Sequence, residues 1–324
     1  MVSTIGARGP VMNGFDLTMR SVPLDQIVSG GPPRDGIPAL TDPAFVPASS
    51  AALLRHPCGD KPVDENPPGL SPGGFCGFLQ DDDRVIGIQL NEQAKAYPIK
   101  ILNWHEVVND RVGGAPVVVT YCPLCGTGMV FDALIHDRRA LFGVSGLLYQ
   151  SDVLLYDRDT ESLWSQLRQE AMTGPRIGTR LTLLPALHTT WGAWRTTHSA
   201  TLVLSTDTGH ARDYETDPYR GYASTPRLFF DVAARDSRLP PKAWVLGVKR
   251  GGQAKAYPFS VLETQRTPVR DRLGDQPITV HFDPKTRTAH ATDPNDRPIP
   301  SVAAFWFAWY AFHPDTAIYR PAPE

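Results

Sequence analysis

The sequence predicts a strand-rich body, α+β or mainly β, built by pseudo-duplication, with short helices and an irregular N-terminal arm. Three observations carry this. The hexapeptide Gln-Ala-Lys-Ala-Tyr-Pro stands at residues 93–98 and again at 253–258. The apolar runs are short and β-branched or alternating, the pattern of strands. Thirty-one prolines and 27 glycines in 324 residues favour many turns over long helices.

The repeat extends well past the hexapeptide. Val85-Ile86-Gly87 matches Val245-Leu246-Gly247, and Ile101-Leu102 matches Val261-Leu262, at an offset of 160. Residues 116–121 match 277–282 at an offset of 161. Trp191, Trp194, His198 and Thr201 match Trp306, Trp309, His313 and Thr316 at an offset of 115. The fall from 161 to 115 means that the first copy carries about 46 additional residues, between Asp132 and Trp191. The chain therefore divides into an arm (1–80), a first repeat with its insertion (81–240) and a degenerate second repeat (241–324).

Along the chain, residues 1–80 are rich in Pro, Gly and Ser, as expected of an extended arm laid over the body, with one short helix near 47–54. Residues 85–90 and 94–98 read as a hairpin with its turn at Asn91-Glu92. A short helix is expected over 99–109. Strands are expected at 116–121, 129–134, 139–144 and 153–156. Helical spacing is read at 163–169. Residues 189–198 form an amphipathic helix with Trp191, Trp194 and His198 on one face, and 202–205 is a strand. The second copy repeats the scheme from 243 to 319. His198 and His313 stand beside paired tryptophans in both copies, so packing or capping is their expected role. No glycine-rich phosphate cradle and no βαβ alternation occur, which argues against a nucleotide-binding fold.

Composition bounds the function. Hydrophobic content of 41% and charged content of 20% are those of a globular chain. A net charge of −2 without a basic run gives no footprint for nucleic acid. No apolar run is long enough to span a bilayer. The first 25 residues lack the shape of a signal peptide, from which a cytoplasmic protein, or one supplied without its leader, is expected. The oligomeric state is left open. Four cysteines are too few for a disulfide scaffold. Cys58 and Cys76 lie in loop-like sequence and read as a bridge in an oxidising compartment or as two inert thiols in a reducing one.

The strongest local signal is Cys122-Pro123-Leu124-Cys125-Gly126, present in the first copy and replaced by Asp283-Pro284-Lys285-Thr286-Arg287 in the second. Extended sequence on both sides gives the strand–turn–strand shape of a metal knuckle. A thioredoxin-like pair would open a helix, and Gly126-Thr127-Gly128 starts one poorly. A structural zinc site needs four ligands, and no second knuckle exists. Cys122 and Cys125 with His105, and an open position, make a Cys2His centre suited to zinc, iron or copper. Glu106 points elsewhere than its neighbour and is expected as a base or an orienting group. Polar groups of the insertion, Ser145, Tyr149, Ser151, Asp152, Trp164 and Gln166, are expected to line the pocket, with the insertion as its roof. A serine hydrolase is disfavoured because no nucleophile elbow surrounds Ser145 or Ser165.

The strings Asn103-Trp104-His105-Glu106-Val107-Val108-Asn109-Asp110, Val119-Thr120-Tyr121-Cys122-Pro123-Leu124-Cys125-Gly126 and Phe142-Gly143-Val144-Ser145-Gly146-Leu147-Leu148-Tyr149 resemble hallmarks of the DUF3179 family. So do Glu161-Ser162-Leu163-Trp164-Ser165-Gln166 and Asp207-Thr208-Gly209. The resemblance spans roughly residue 20 to the end. It implies a bacterial or archaeal protein, often exported or lipid-anchored, and brings no reaction with it. From the residues alone, three readings stand. The first is a metal-dependent oxidoreductase-type enzyme acting on a small molecule. The second is a thiol–disulfide protein in which Cys122 attacks and Cys125 resolves. The third is a non-catalytic metal- or partner-binding module. Extended structure after Gly126 counts against the second.

Overall fold

In both copies the repeated hexapeptide forms the second strand of a hairpin, Arg84–Leu90 with Gln93–Pro98 and Trp244–Arg250 with Gln253–Pro258. Both turns need two consecutive residues at positive φ, as a two-residue hairpin loop demands. Asn91 and Glu92 supply them in one copy, Gly251 and Gly252 in the other. The computed structural model describes residues 9–49, 55–57 and 75–321.

Alternation puts Lys95 and Tyr97 of the hexapeptide on one face, and both reach an aspartate of the next sheet. Lys95 Nζ lies 2.8 Å from Asp110 Oδ2, to which the Tyr97 hydroxyl donates at 2.7 Å. Lys255 and Tyr257 meet Asp271 in the same way, at 2.5 and 2.8 Å. The hexapeptide is kept because it joins one sheet to the next. Gly87 and Gly247 complete the shared scaffold. A Cβ there would lie 2.3 Å from the Trp194 ring and 2.2 Å from the Trp309 ring. Each tryptophan donates its indole N–H to a threonine, Thr201 or Thr316, at 2.9 Å, and carries His198 or His313 packed against its ring.

The chain is mainly β, 42% strand against 11% helix, and its sheets form a five-bladed propeller-like ring. The first blade holds Arg84–Leu90, Gln93–Pro98, Leu187–Thr190 and Leu202–Leu204, and the second Val107–Val112, Ala115–Cys122, Thr127–Asp132 and Leu183–Leu184. The third holds Phe142–Tyr149, Asp152–Asp157, Leu163–Ser165 and Glu170–Ala171. The fourth (Trp244–Arg250, Gln253–Pro258, Ser301–Phe305, Ala317–Ile318) and the fifth (Val269–Leu273, Gln276–Asp283, Thr288–Thr292, Pro298–Ile299) are the second copy. The first and second blades are the matching pair. The additional residues of the first copy are therefore an entire blade, the third. Asn109 ties it to the second blade, donating to Phe142 O and accepting from Phe142 N, both at 2.8 Å. Ring contact of Tyr149 with Phe312 reaches the fourth blade, and a Thr189–Thr288 hydroxyl pair at 2.7 Å joins the fifth to the first.

Three local expectations are corrected. The arm is not a simple wrapping: Ile27–Ser29, Leu40–Thr41 and Phe45–Pro47 add outer strands to the third, second and first blades. The helix expected over 99–109 ends at His105, because Glu106 takes φ +56 and the chain turns into Val107–Val112. The segment 163–169 is not helical. Leu163–Ser165 pairs with the Asp152–Asp157 strand, and a turn follows. Of the helix expected near 47–54, residues 50–54 lie outside the described residues, as does Cys58 and with it any pairing to Cys76. The Thr189–His198 reading is refined to a helix Trp191–Thr197, capped by Thr190.

Candidate functional site

Two hairpin turns on neighbouring blades build the site. In the second blade Ala115–Cys122 runs into Thr127–Asp132, with Cys122 facing Thr127 across the ladder. The intervening residues close on a Cys125 N–H to Cys122 O bond of 3.2 Å. Gly126 sits at φ +64, and a Cβ there would meet Trp244 at 2.9 Å and Phe305 at 3.1 Å. Only glycine satisfies both the backbone and the packing. Phe305 N–H donates to Cys125 O at 2.9 Å, which fixes the turn against the fourth blade. The residues after Cys125 are a strand, so no helix N-terminus bears on the thiols.

In the third blade the hairpin Phe142–Tyr149/Asp152–Asp157 turns through Gln150 and Ser151, both at positive φ. That turn lays the Ser151 carbonyl against the two sulfurs, 3.4 Å from Cys125 Sγ and 3.9 Å from Cys122 Sγ. Asp152 Oδ1 stands 3.9 Å from Cys125 Sγ. The ligating atoms of Cys122, Cys125 and Asp152 all lie within 4.8 Å of one another, and all three residues are buried. Both cysteines are free thiols. The other carboxylate oxygen of Asp152 accepts from Ser165 Oγ at 2.9 Å and Leu167 N–H at 3.1 Å, which orients it.

Burial sets the protonation states. It pushes the Asp152 carboxyl up to about 7 against the pull of its donors Leu167 and Ser165. Burial, and then the adjacent Cys122, hold Cys125 well above the ordinary thiol range. Glu106 is buried beside this cluster. Burial lifts its carboxyl to about 7; the Tyr219 hydroxyl, donating at 3.2 Å, pulls it down, and Asp152 adds to the rise. A cavity of about 330 Å³ adjoins, walled by Glu106, Tyr219, Leu124, Val153, Leu148 and Phe230. Leu124 lies between the two cysteines in sequence and Val153 follows Asp152, so chain neighbours of the cluster, and not its own side chains, form part of the cavity wall.

The expected site residues divide. Cys122, Cys125 and Asp152 converge, with Asp152 in the place anticipated for His105. The structure does not bring His105 to the thiols. Its Nδ1 is 2.7 Å from Pro38 O and its Nε2 is 2.7 Å from the Tyr214 hydroxyl, and burial lowers its pKa to about 4. The positive φ at Glu106 rotates the chain between the two residues, sending Glu106 to the cavity and His105 to the loop at 208–214. Gln166 braces the cysteine hairpin, donating to Thr120 Oγ1 at 2.9 Å and Thr127 O at 3.2 Å, while its Oε1 is buried without a partner among the described residues. Ser145 pins a β-bulge: it bonds Leu154 O and accepts from Leu147 N–H. Trp164 donates to Asp157 Oδ2 at 2.9 Å in the blade core, and Tyr149 packs on Phe312. These three hold structure and do not line the cavity.

Sequence reading missed Tyr219, and also Tyr222, whose hydroxyl is buried beside the Phe229 backbone. Burial, and then Cys125 and Cys122, raise the Tyr222 hydroxyl's pKa. The only sequence signal is two tyrosines spaced by three in the polar loop after Asp217.

A family model described as "Protein of unknown function (DUF3179)" matches residues 34–316. The match covers most of the chain, which belongs to that family. No curated protein and no solved structure matches it.

Proposed function

We propose that the chain is a metal-dependent enzyme whose centre is an ion held by Cys122, Cys125 and Asp152. A small-molecule substrate enters the adjoining cavity, and Glu106 handles the proton. The observation that carries this reading is the buried Cys–Cys–Asp cluster. Three acidic groups gathered in an apolar interior are costly as anions, and a bound dication reverses that cost. Two thiolates and one carboxylate suit zinc, iron or copper rather than magnesium or calcium. Three protein ligands leave a tetrahedral ion one position for water or substrate, the pattern of catalytic rather than structural sites. A carboxyl titrating near neutrality is matched to proton transfer at pH 7. Iron or copper would place the chemistry among oxidations, and zinc among hydrolyses.

The test is metal content of the purified protein, with Cys122→Ser, Cys125→Ser, Asp152→Asn and His105→Ala compared. Near-stoichiometric metal, lost in the first three and kept in His105→Ala, supports the centre. Loss in His105→Ala with retention in Asp152→Asn would restore the Cys2His set. A metal-free protein that refuses zinc, iron and copper and forms a reversible Cys122–Cys125 disulfide would overturn the reading in favour of thiol redox chemistry.

A further inference from the structure

A second cavity, of about 260 Å³, lies where the two copies of the repeat face each other. Its walls are equivalent positions of the two copies. Arg84 stands opposite Trp244 and Ile99 opposite Phe259, each pair at the offset of 160, and His188 stands opposite Ala303, at the offset of 115. The strand registers agree, since His188 pairs with Ile86 and Ala303 with Leu246. The cavity thus sits on the pseudo-twofold axis of the duplication, and divergence has made its two halves unlike. The first copy contributes a cation and a polar ring. The second contributes an indole, a phenyl ring, a methyl group and the guanidinium of Arg287, with Trp244 and Phe259 inclined by only 26° at 6.1 Å.

The polar half is not neutralised. Arg84 donates to two carbonyls, Thr286 O and His188 O, at 2.5 and 2.6 Å. Among the described residues no carboxylate lies within ion-pair distance of it, and its burial lowers its pKa to about 10. Arg287, at the mouth, is paired with Glu263 at 2.6 Å. His188 is buried, and its Nδ1 has no partner among the described residues. The Tyr121 ring completes the wall, edge-on to His188 at 6.3 Å. One uncompensated positive charge, an unused imidazole nitrogen and flat apolar walls describe the complement of one ligand class.

We infer that this axial cavity binds a small monocarboxylate with a flat apolar body, its carboxylate toward Arg84 and His188 and its body against the wall that Trp244 and Phe259 form together. The site is separate from the Cys122–Cys125–Asp152 cluster and does not rest on the metal reading. Its volume, near the lower end for ligand pockets, limits the ligand to about one ring.

The experiment is calorimetric titration of the full chain with benzoate, benzyl alcohol and inorganic phosphate, with melting temperature as a second readout. Benzoate is expected to bind saturably and raise the melting temperature, with benzyl alcohol and phosphate at least tenfold weaker. Arg84→Gln should weaken benzoate roughly tenfold or more, the effect of removing a charged hydrogen-bond partner, and Asp152→Asn should leave it unchanged. Because Arg84 also ties two blades together, His188→Leu gives a second, independent reading, and it too should weaken benzoate. Absence of saturable benzoate binding overturns the inference. So do equal binding of benzyl alcohol, preference for phosphate, and unchanged affinity in whichever of the two variants folds.

Discussion

Replacing Glu106 with glutamine should make the metal-free protein more stable above neutrality and change little in mild acid. Burial raises the folded-state carboxyl from its ordinary 4.5 to about 7. A group whose folded pKa lies above its unfolded value contributes stability that is full below 4.5 and is lost as pH rises through about 7. Integrated from pH 5 to pH 8, that loss amounts to about 2.5 kcal/mol for a single group with these two values. Glu106→Gln removes it, since a neutral amide of the same shape has no proton to lose. Four histidines act in the opposite sense. Burial lowers His105, His290 and His313 to about 4 and His188 well below its ordinary value, so their contribution is present above 6.5 and falls away in acid. They are common to both proteins and cancel in the difference. The assay is urea unfolding of chelator-treated wild type and Glu106→Gln at pH 5, 6, 7 and 8, read as the difference in unfolding free energy. The variant should gain on the wild type steadily as pH rises. A flat difference across that range would refute the reasoning, because Glu106 would then be an ordinary carboxylate, ionised throughout and unsuited to proton transfer at neutrality.

Two further outcomes follow from the scaffold. Asp110→Asn should cost about 3–5 kcal/mol, because it strands a buried Lys95. The equivalent Asp271→Asn should cost nearer ~1 kcal/mol, since the Lys255–Asp271 pair is partly exposed and screened; denaturation midpoints of the two variants decide it, and equal losses would contradict the burial argument. Gly126→Ala should lower the unfolding free energy by about 1–3 kcal/mol through overpacking against Trp244 and Phe305, whereas Gly114→Ala, at similar positive φ with open space around it, should cost less; thermal melts distinguish them.

Much of the architecture was legible because duplication prints it in the letters. The hexapeptide, the Gly87/Gly247 pair and the paired tryptophans each satisfy one packing requirement, and a requirement met twice leaves the same residues twice. The count of about 46 inserted residues was also legible, but not that they form a complete blade. Strands of two or three residues such as Glu170–Ala171 carry no periodicity. The arm escaped for the same reason, since its outer strands are as short and owe their form to the blades they join. At the site, the cysteine hairpin could be read because both flanks are long strands. The third group could not. Whether His105 or Asp152 reaches the sulfurs depends on the positive φ at Glu106 and on a turn at Gln150-Ser151, where neither residue is a glycine that would announce it.

The two copies also explain why the cluster exists once. Its cysteines come from the turn that joins two strands of the second blade, and the equivalent turn of the fifth blade carries Asp283 to Arg287. Restoring two cysteines to that turn would not recreate the cluster, because its third member comes from the inserted blade, which the second copy lacks. Nor is the second copy idle. Trp244 and Phe305 press on Gly126 and hold the cysteine turn, while the residue equivalent to Gly126, Arg287, stands at the mouth of the axial cavity. A side chain at one of these two positions would crowd the neighbouring copy, and at the other it guards an opening. The duplication supplied two matching turns at the axis, and the added blade decided which of them could gather the Cys122–Cys125–Asp152 cluster.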